Sequence, residues 1–483
     1  MISRLAITAV LFGSVVIGER PAVEEHLDQA RIEAGEIGIE EVLRHGQRLF
    51  EARFNALDGQ GRPGTTGDGI PRPPGQPAFV RTSGPDANSC QGCHFQPRTG
   101  GSGEFASNVF ALAQERDPVI TTIDAHESNE RGTTSLFGAG LLEMLAREMS
   151  AELQGIRAAA KAAAQASGAP ASRPLQAKGI GFGTITVLPD GRVDPSKIEG
   201  VDWDLVVRPF HQKGAVVSLR DFSNTALNHH HGMQTTERFG TDIDIDGDGV
   251  VNELTTGDVT ALVLFQATLP VPGRMLPAHP ARRAAAARGE TLFATVGCAG
   301  CHVPSLVLDR PVFTDPGPFN PPGNLRAGPG VKSVAVDLTS AGPLPSPRPE
   351  RLPDGRARVQ AFTDLKRHDL NDAEIRCFAN EQLPQGALSA RARGSLFTQA
   401  PMPRPTGAFL TARLWDAGTS APYGHRGDLT TLTEAIRCHG GEGRAARDAF
   451  LALPPEDRAA IIEFLKTLQA LPPGAGLVME EPG

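Results

Sequence analysis

The sequence lacks an excess of positive charge and, beyond its first twenty residues, any segment apolar enough to cross a membrane. Its 47 Lys and Arg are outnumbered by 55 Asp and Glu, and the net charge of −8 argues against nucleic acid as a partner. Aromatic residues are also scarce, at 5%. The 40% hydrophobic and 21% charged residues predict a soluble globular chain, and 483 residues suffice for two or three domains. The 54 glycines and 40 prolines predict long surface loops.

The amino terminus carries the one long apolar run. Arg4 precedes an apolar stretch from Leu5 to Ile17. This length suits the hydrophobic region of a signal peptide and is short for a membrane span. We therefore expect residues 1–20 to be a signal peptide and the protein to be periplasmic. No A-x-A cleavage site follows, so an uncleaved anchor, and with it contact with the membrane, stays open.

Two C-x-x-C-H motifs contain four of the six cysteines. A zinc ribbon does not require the adjacent histidine, and no βαβ setting for a thioredoxin-like site is present. Covalent attachment of a c-type haem does require this pattern, because two thiols add to the vinyl groups and the histidine is the proximal iron ligand. The sequence thus predicts two covalent haems, with His94 and His302 as proximal ligands. The attachment residues are Cys90, Cys93, Cys298 and Cys301.

A repeated pattern precedes the two motifs. The sequence G-x-x-L-F ends a helical stretch at Gly46–Phe50 and again at Gly289–Phe293. We expect a mainly α fold with two cytochrome c-type domains, long Gly/Pro-rich loops and a small β-hairpin insertion. The predicted boundaries are 38–180 for the first haem domain, 181–260 for the insertion and 280–475 for the second haem domain.

Local signals predict individual elements of this fold. LFGAGLLEMLAREMSAEL and IRAAAKAAAQA are typical of two successive helices, and SGAPASRP then breaks the pattern. FGTITVLPDGRVDP predicts a hairpin that turns at Asp190 and Gly191. PPEDRAAIIEFLKTLQAL predicts a helix, because proline and acidic residues occupy its first turn.

Three further segments give the chain a resemblance to a known family. They are LFGAGLLEML, FTDLKRHDL and LWDAGTSAPYGHRGDLTTLTEAIRCHGGEG. With the two motifs, they resemble the bacterial di-haem cytochrome c peroxidases and the related di-haem, thiol oxidoreductase-like proteins. The last segment is the most specific, since these enzymes carry a similar P-Y-x-H-x-G before a T-L-x-E-A helix. The resemblance covers most of residues 40–471. It implies two α-helical cytochrome c domains, one haem for electron uptake and one for peroxide.

The resemblance also points to a second ligand for the C-terminal haem. In the peroxidases a methionine near the end of the last helix of that segment is the ligand, and His439 occupies the equivalent place. Thr431 and Glu434 form a capping box that begins a helix leading to His439. A histidine favoured there only by the helix dipole is the alternative. Met402 and His368 are the competing ligand candidates.

The N-terminal haem lacks such a histidine in the sequence. None lies between His94 and His126. We therefore expect an open iron there, as in the branch of the family that oxidises protein side chains. The acid/base group of the family belongs on the following helix, where Glu143 and Glu148 are candidates. Solvated helical acids are the alternative interpretation.

The segment DIDIDGDGVVNE matches the calcium-loop pattern D-x-D-x-D-G-x5-E. A second register begins at Asp244 and suits the packing of such loops better, but it lacks the closing acid. Calcium is expected, with a structural role. The candidate ligands are Asp242, Asp244, Asp246, Asp248 and Glu253.

Two other features have open roles. His229–His231 are interpreted as a surface histidine run, with another metal site as the alternative. Cys377 and Cys438, the cysteines outside the motifs, either pair or remain buried thiols.

The sequence therefore predicts an exported di-haem oxidoreductase of peroxidase type. Electrons from a small donor protein, a cytochrome or a cupredoxin, enter at the His302 haem and reach an open His94 haem that reduces hydrogen peroxide. Two alternatives stay open, a di-haem protein that only transfers electrons and a di-haem enzyme that oxidises a partner protein.

Overall fold

The computed structural model describes residues 20–61, 87–104, 106–108, 130–340, 342–377 and 408–482. Almost all of the predicted signal peptide or anchor lies outside these residues, and so does Met402. Among the helices that the structure describes, none combines the length and hydropathy needed to cross a bilayer.

Ten α-helices lie in the described part of the chain, and the fourth continues into one π-helical turn at Leu227–His231. In chain order the helices are α1 Gln29–Ala34, α2 Ile39–Glu51, α3 Ala139–Ser167, α4 Leu219–Ala226, α5 Thr236–Phe239, α6 Thr256–Ala267, α7 Pro280–Thr295, α8 Leu432–Arg437, α9 Arg444–Ala452 and α10 Pro455–Thr467.

Short strands form six small sheets in the described residues, with strand orders β1-β2, β3-β4-β5, β10-β11-β7, β8-β9, β12-β13 and β14-β6-β15. All pairs are antiparallel except β6 with β15. The fold is 34% helical and 15% strand, so the expected mainly α fold is not confirmed. The strands are β1 Ala106–Asn108, β2 Glu130–Gly132, β3 Ala171–Ala177, β4 Ile180–Val187, β5 Val193–Asp194, β6 Gly273–Leu276, β7 Leu306–Leu308, β8 Val312–Asp315, β9 Val334–Asp337, β10 Glu350–Arg351, β11 Ala357–Val359, β12 Arg367–Asp369, β13 Ala408–Leu410, β14 Leu468–Gln469 and β15 Val478–Glu480.

The two G-x-x-L-F helices make the same kind of close helix crossing. A Cβ on Gly46 of α2 would lie 2.0 Å from the carbonyl oxygen of Ala261 in α6. A Cβ on Gly289 of α7 would lie 1.9 Å from the carbonyl oxygen of Ala460 in α10. Only glycine permits this approach of two backbones. Helix α6 thus packs on α2 as α10 packs on α7. It ends at Ala267, beyond residue 260, the predicted end of the insertion.

The region after the first motif differs in detail from its prediction. A single helix, α3, replaces the two that were expected, because the Ala-rich stretch has high helix propensity and no proline interrupts it. The hairpin is confirmed, with the Gly191 amide donating to the Leu188 carbonyl at its turn. The predicted break is confirmed, because α3 ends at Ser167 with Gly168 as its C-cap. The end of the same segment begins β3, which adds a third strand to the hairpin. The predicted C-terminal helix is confirmed as α10, with Glu456 and Asp457 in its first turn.

A buried arginine ties the middle of the chain together. Arg220 of α4 is 1% exposed, and its guanidinium lies 2.7 Å from Asp315 at the end of β8. It also pairs with Glu237 of α5 and donates to Thr260 of α6. Four elements therefore share one desolvated cation.

A second buried network anchors the N-terminal segment to α6. The Asp258 carboxylate accepts from His26 Nδ1 at 2.6 Å, from His45 Nε2 at 2.7 Å and from the amide of Leu27 at 3.0 Å. The hydrogen bond and the charge of Asp258 outweigh burial and raise the pKa of His26 above its ordinary value of about 6.5.

This network predicts a loss of stability as the solution becomes alkaline. A raised pKa in the folded state means that protonated His26 stabilises the fold fully below about pH 6.5 and loses this contribution as pH rises through the folded pKa. The free energy of unfolding should therefore fall less between neutral and alkaline pH in His26→Gln than in the unmodified chain. Urea unfolding across that range measures the difference, and parallel curves for the two proteins would contradict the role of His26.

Candidate functional site

The first C-x-x-C-H motif forms one tight turn after α2. The amide of His94 donates to the carbonyl of Cys90 at 3.0 Å, so the two residues lie on the same turn. His94 Nδ1 lies 3.3 Å from the carbonyl oxygen of Gly101, and the ring lies 6.2 Å from that of Phe50, measured between centroids. Burial is the main cause that lowers the pKa of His94, to about 4. The ring is thus neutral at pH 7, with Nδ1–H donated to the backbone and Nε2 available as a ligand.

The second motif repeats this geometry after α7. The amide of His302 donates to the carbonyl of Cys298 at 3.0 Å, and the His302 and Phe293 centroids are 6.3 Å apart. His302 Nδ1 lies 3.2 Å from the Phe362 carbonyl oxygen and 3.1 Å from that of Ala412. Burial and the charge of His439 lower the pKa of His302 to about 4. Both motif histidines therefore have the tautomer that leaves Nε2 for a metal.

His439 faces His302. Thr431 caps α8 by accepting from the amide of Glu434, as the capping box predicts, and the helix leads directly to His439. His439 Nδ1–H donates to the Ala435 carbonyl at 2.8 Å, which again leaves Nε2 available. The His302 and His439 centroids are 6.3 Å apart. Imidazole nitrogens bind metals at about 2 Å, so one metal ion fits between the two rings.

His368 has other partners. Its Nδ1 lies 2.7 Å from Glu442 and its Nε2 lies 2.9 Å from Asp364. Burial opposes the charge of the ring, but the hydrogen bonds to these carboxylates raise the pKa of His368 to about 11. Both ring nitrogens thus have carboxylate partners in this arrangement, whereas Nε2 of His439 remains available. Met402 lies outside the described residues.

A disulfide lies next to His439. Cys377 and Cys438 are joined, with their Cα atoms 5.5 Å apart, which settles the role that the sequence left open. Cys438 is 7% exposed and follows α8 directly. The cross-link therefore restrains the backbone at the residue before His439.

One short segment, residues 412–416, lies near both motif histidines and is called the connecting segment. The Ala412 carbonyl contacts His302, and the neighbouring Arg413 lies close enough to His94 for its charge to lower the pKa of that ring. Within the described residues, buried polar atoms without a hydrogen-bond partner occur on this segment at Arg413 Nε, Trp415 Nε1 and Asp416 Oδ2. Such atoms are rare in folded proteins unless a bound group satisfies them. A cofactor with negatively charged substituents fits the buried cation of Arg413, whose Nε lacks a hydrogen-bond partner.

The histidine run, His229–His231, lies beside the first motif. The sequence did not predict this position. The amide of Ala87 donates to the His230 carbonyl at 3.3 Å, and His231 Nδ1–H donates to the Ala87 carbonyl at 2.8 Å. His231 Nε2 lies 3.7 Å from Cys90 Sγ. His229 is 7% exposed and His231 3% exposed, so the interpretation as a surface run is wrong.

A signal for this placement exists in the sequence. Ser218 caps α4, and the histidine run ends at Gly232. Thr431 caps α8 in the same way, and His439 precedes Gly440. In both cases a capped helix is followed by histidine and then by glycine. Farther along the chain lies the helix that crosses a G-x-x-L-F helix: α6 crosses α2, and α10 crosses α7.

The two candidate acid/base residues are bonded elsewhere. Glu143 is 1% exposed, and its carboxylate accepts from Arg147 at 2.5 Å and from the amide of Leu219 at 2.7 Å. Glu148 pairs with Lys178 at 2.7 Å and accepts from two backbone amides of residues 309 and 310. One Glu143 oxygen thus bonds within α3 and the other bonds the start of α4, while the two Glu148 oxygens bond residues 309 and 310. These contacts favour a structural role for both residues, and the catalytic role expected of them stays a prediction.

Comparison with known proteins supports the resemblance for the C-terminal part of the chain. The family model described as "Di-haem oxidoreductase, putative peroxidase" matches residues 407–468, which include the connecting segment and His439. The chain resembles the di-haem peroxidases there. Cytochrome-c peroxidase IdrP2 of Pseudomonas sp. (strain SCT) is 34% identical over 112 residues. This alignment covers 23% of the chain and 28% of that peroxidase, so the chain matches well under half of its relative's length.

The solved structures that the chain is similar to are more distant. Hydrazine synthase of Kuenenia stuttgartiensis is 14% identical with a TM-score of 0.35, covering 96% of this chain and 100% of that chain. A MauG-like protein associated with microbial copper homeostasis is 18% identical with a TM-score of 0.25, covering 59% and 76%. With both TM-scores below 0.5, neither structure defines the fold of this chain.

The acidic loop adopts the second of the two predicted registers. The carboxylate oxygens of Asp244, Asp246 and Asp248 lie within 4.8 Å of one another. Asp242 instead accepts from the Asn252 amide side chain at 2.8 Å. Glu253 is bound through both oxygens by Gln234.

The cluster in the described residues thus includes neither Asp242 nor Glu253, and the expected set of calcium ligands stays a prediction. Burial, together with the charges of Asp248 and Asp244, raises the pKa of Asp246 to about 7. The pattern of acids in the sequence fits both registers. The bonds of Asp242 to Asn252 and of Glu253 to Gln234 distinguish them.

Proposed function

We propose that the protein is an exported di-haem c-type oxidoreductase of peroxidase type. The observation that carries the proposal is the pair His302 and His439, which face each other at 6.3 Å beside a C-x-x-C-H turn. The first motif has the same turn, the same Nδ1–H donation to the backbone and the same neutral histidine. The similarity of residues 407–468 to di-haem oxidoreductases adds support.

The residues present fit a covalently bound haem at each motif. Haem, when bound, supplies one-electron redox chemistry at an iron. Cys90 and Cys93 would attach the first group, and Cys298 and Cys301 the second. The motif histidines would hold the irons through Nε2, because their Nδ1–H groups are donated to backbone carbonyls.

The two sites have different roles in the proposal. Imidazole on both sides of the second site is typical of an electron-transfer centre. A small donor protein, a cytochrome or a cupredoxin, delivers electrons at the His302 site, and hydrogen peroxide is reduced at the His94 site. Each peroxide takes two electrons and two protons and yields two water molecules. The adjacency of Ala412 at His302 and Arg413 near His94 supports transfer between the sites.

A di-haem protein that only transfers electrons is the second candidate. The observation that favours it is the histidine run, because His231 lies 3.7 Å from Cys90 and brings imidazole groups to the first site too. Turnover of hydrogen peroxide with a reduced donor cytochrome separates the two candidates, since an electron carrier leaves the peroxide unconsumed.

Export and calcium complete the proposal. The disulfide Cys377–Cys438 supports a periplasmic location, since disulfides persist in oxidising compartments. Calcium in the acidic loop is supported by Asp246, whose buried Oδ2 has no hydrogen-bond partner. Oxygen-only carboxylate clusters are typical calcium ligands.

Covalent attachment gives the first test. The intact mass of the purified protein should exceed that of its polypeptide by two haems. Replacing Cys90 and Cys93 by serine should remove one haem, and replacing Cys298 and Cys301 should remove the other. Cys377→Ser is the matched control and should retain both. A colourless protein that contains zinc would overturn the proposal.

A further inference from the structure

The Cys377–Cys438 disulfide restrains a helix that has little packing of its own. Helix α8 has six residues, none of them buried, and a helix this short is marginal in water without tertiary contacts. Its first turn is held by its capping box. Its other end is held at Cys438, the C-cap residue that the disulfide joins to Cys377. Because His439 follows directly, the disulfide contributes to the position of this histidine opposite His302.

The backbone after His439 is bound to the same segment, residues 370–377, by weaker contacts. The Gly441 amide donates to the Asp372 carboxylate at 2.9 Å. Arg444 pairs with Asp372 at 2.6 Å, and its side chain is 32% exposed. Ion pairs in contact with water contribute little to stability, so the covalent bond is the strongest of the links between this segment and the surroundings of His439.

One half of the disulfide is open to a partner. Cys377 is exposed, whereas Cys438 is only 7% exposed. Thiol–disulfide exchange begins when a thiolate attacks an accessible sulfur, and accessible disulfides are typically the more labile ones. A thiolate from outside therefore reaches Cys377, with Cys438 as the leaving group.

We propose that a partner that carries a dithiol switches the second C-x-x-C-H site by reducing the Cys377–Cys438 disulfide. In the oxidised form α8 is fixed and His439 stays opposite His302. In the reduced form α8 loses its restraint, and His439 occupies this position for a smaller fraction of the time. The effect on iron ligation at the second site rests on the proposed function.

The exchange balances without any other reactant. A thiolate of the partner attacks Sγ of Cys377, the S–S bond breaks, and Cys438 leaves as a thiolate that takes up a proton. The second thiol of the partner then loses its proton and attacks the mixed disulfide, so that Cys377 leaves and is protonated in turn. Two electrons pass to the protein, and the partner departs with a disulfide of its own.

The disulfide and the second site are linked thermodynamically. If the disulfide favours the position of His439 opposite His302, a group held between the two histidines must favour the disulfide to the same degree, because coupling is reciprocal. The disulfide should therefore be harder to reduce when the second site is occupied than when it is not.

Equilibration of the purified protein with mixtures of reduced and oxidised dithiothreitol measures this coupling. Alkylation of the freed thiols followed by intact mass gives the reduced fraction. The equilibrium constant for reduction should be about 5- to 150-fold larger in His439→Ala than in the unmodified protein, the range typical of coupled sites. Replacing Cys298 and Cys301 by serine should cause a similar increase. Replacing Cys90 and Cys93 is the matched control and should cause none.

Two further measurements report on α8 and on His439 directly. Hydrogen exchange of the amides in residues 432–439 should accelerate when Cys377 and Cys438 are both replaced by serine, whereas exchange in α6 should not change. Added imidazole competes with His439 at the second site. In protein that lacks the first haem, its affinity should be about 5- to 150-fold higher with this double substitution than without it.

Two results would overturn the inference. Equal reduction constants in His439→Ala and the unmodified protein would show that the disulfide and His439 are independent. Unchanged exchange in residues 432–439 without the disulfide would show that α8 does not depend on it. A protein in which loss of the disulfide accelerates this exchange, but to which no haem is covalently attached, would support the release of α8 and reject the proposed function instead.

Discussion

His439→Ala is expected to convert the second haem from a low-spin to a high-spin centre while both haems stay attached. His302 and His439 face each other at 6.3 Å, and each uses Nδ1–H for a backbone carbonyl, so removal of His439 opens one side of the iron. Electron uptake from a donor protein should also slow, because a change of coordination accompanies reduction. Absorption and EPR spectra of the oxidised protein measure the conversion, and stopped-flow mixing with a reduced cytochrome measures the rate.

His368→Gln is the matched control for this variant. His368 is the neighbouring histidine in the same site, but Asp364 and Glu442 bind both of its nitrogens. Its replacement should leave the low-spin signal in place. A signal that persists in His439→Ala and disappears in Met402→Leu would instead assign the ligand to Met402.

Arg220→Met should cause the largest loss of stability, about 3–5 kcal/mol in the free energy of unfolding, which is typical of a broken buried ion pair. Its guanidinium is desolvated between Asp315 and Glu237, and the variant leaves both carboxylates buried without their cation. Burial already raises the pKa of Glu237, and loss of the Arg220 charge, which lowers it, should raise it further. Urea unfolding at constant calcium concentration measures the change.

An exposed arginine provides the comparison. Arg356 pairs with Asp354 on the surface, where water screens the interaction, so Arg356→Met should leave the unfolding curve nearly unchanged. Equal effects of the two substitutions would mean that the buried network contributes little to the fold.

Several elements were predictable because their signals lie within a few residues. The turn of each C-x-x-C-H motif, the hairpin at Asp190 and Gly191, and the capping box of α8 depend on backbone conformation and hydrogen bonds between near neighbours. Helix α10 likewise follows from proline and acids in its first turn. The resemblance to the di-haem peroxidases implied the ligand role of His439, and the capping box of α8 supported it.

Other features depended on partners far along the chain. The contact of His231 with Cys90 spans 141 residues, and the bond from Leu219 to Glu143 spans 76. A histidine run and a helical glutamate look solvated when only their neighbours in sequence are considered. Packing decided that the histidines are buried at the first motif and that Glu143 holds α4.

The sequence by itself determined the haem-attachment chemistry that we propose and the local turns that present it, because these depend on residue type and short spacing. Only the tertiary structure decided the register of the acidic loop, the partners of His368 and the position of His229–His231. Burial and competition between possible partners govern these choices, and both arise only when distant segments pack together.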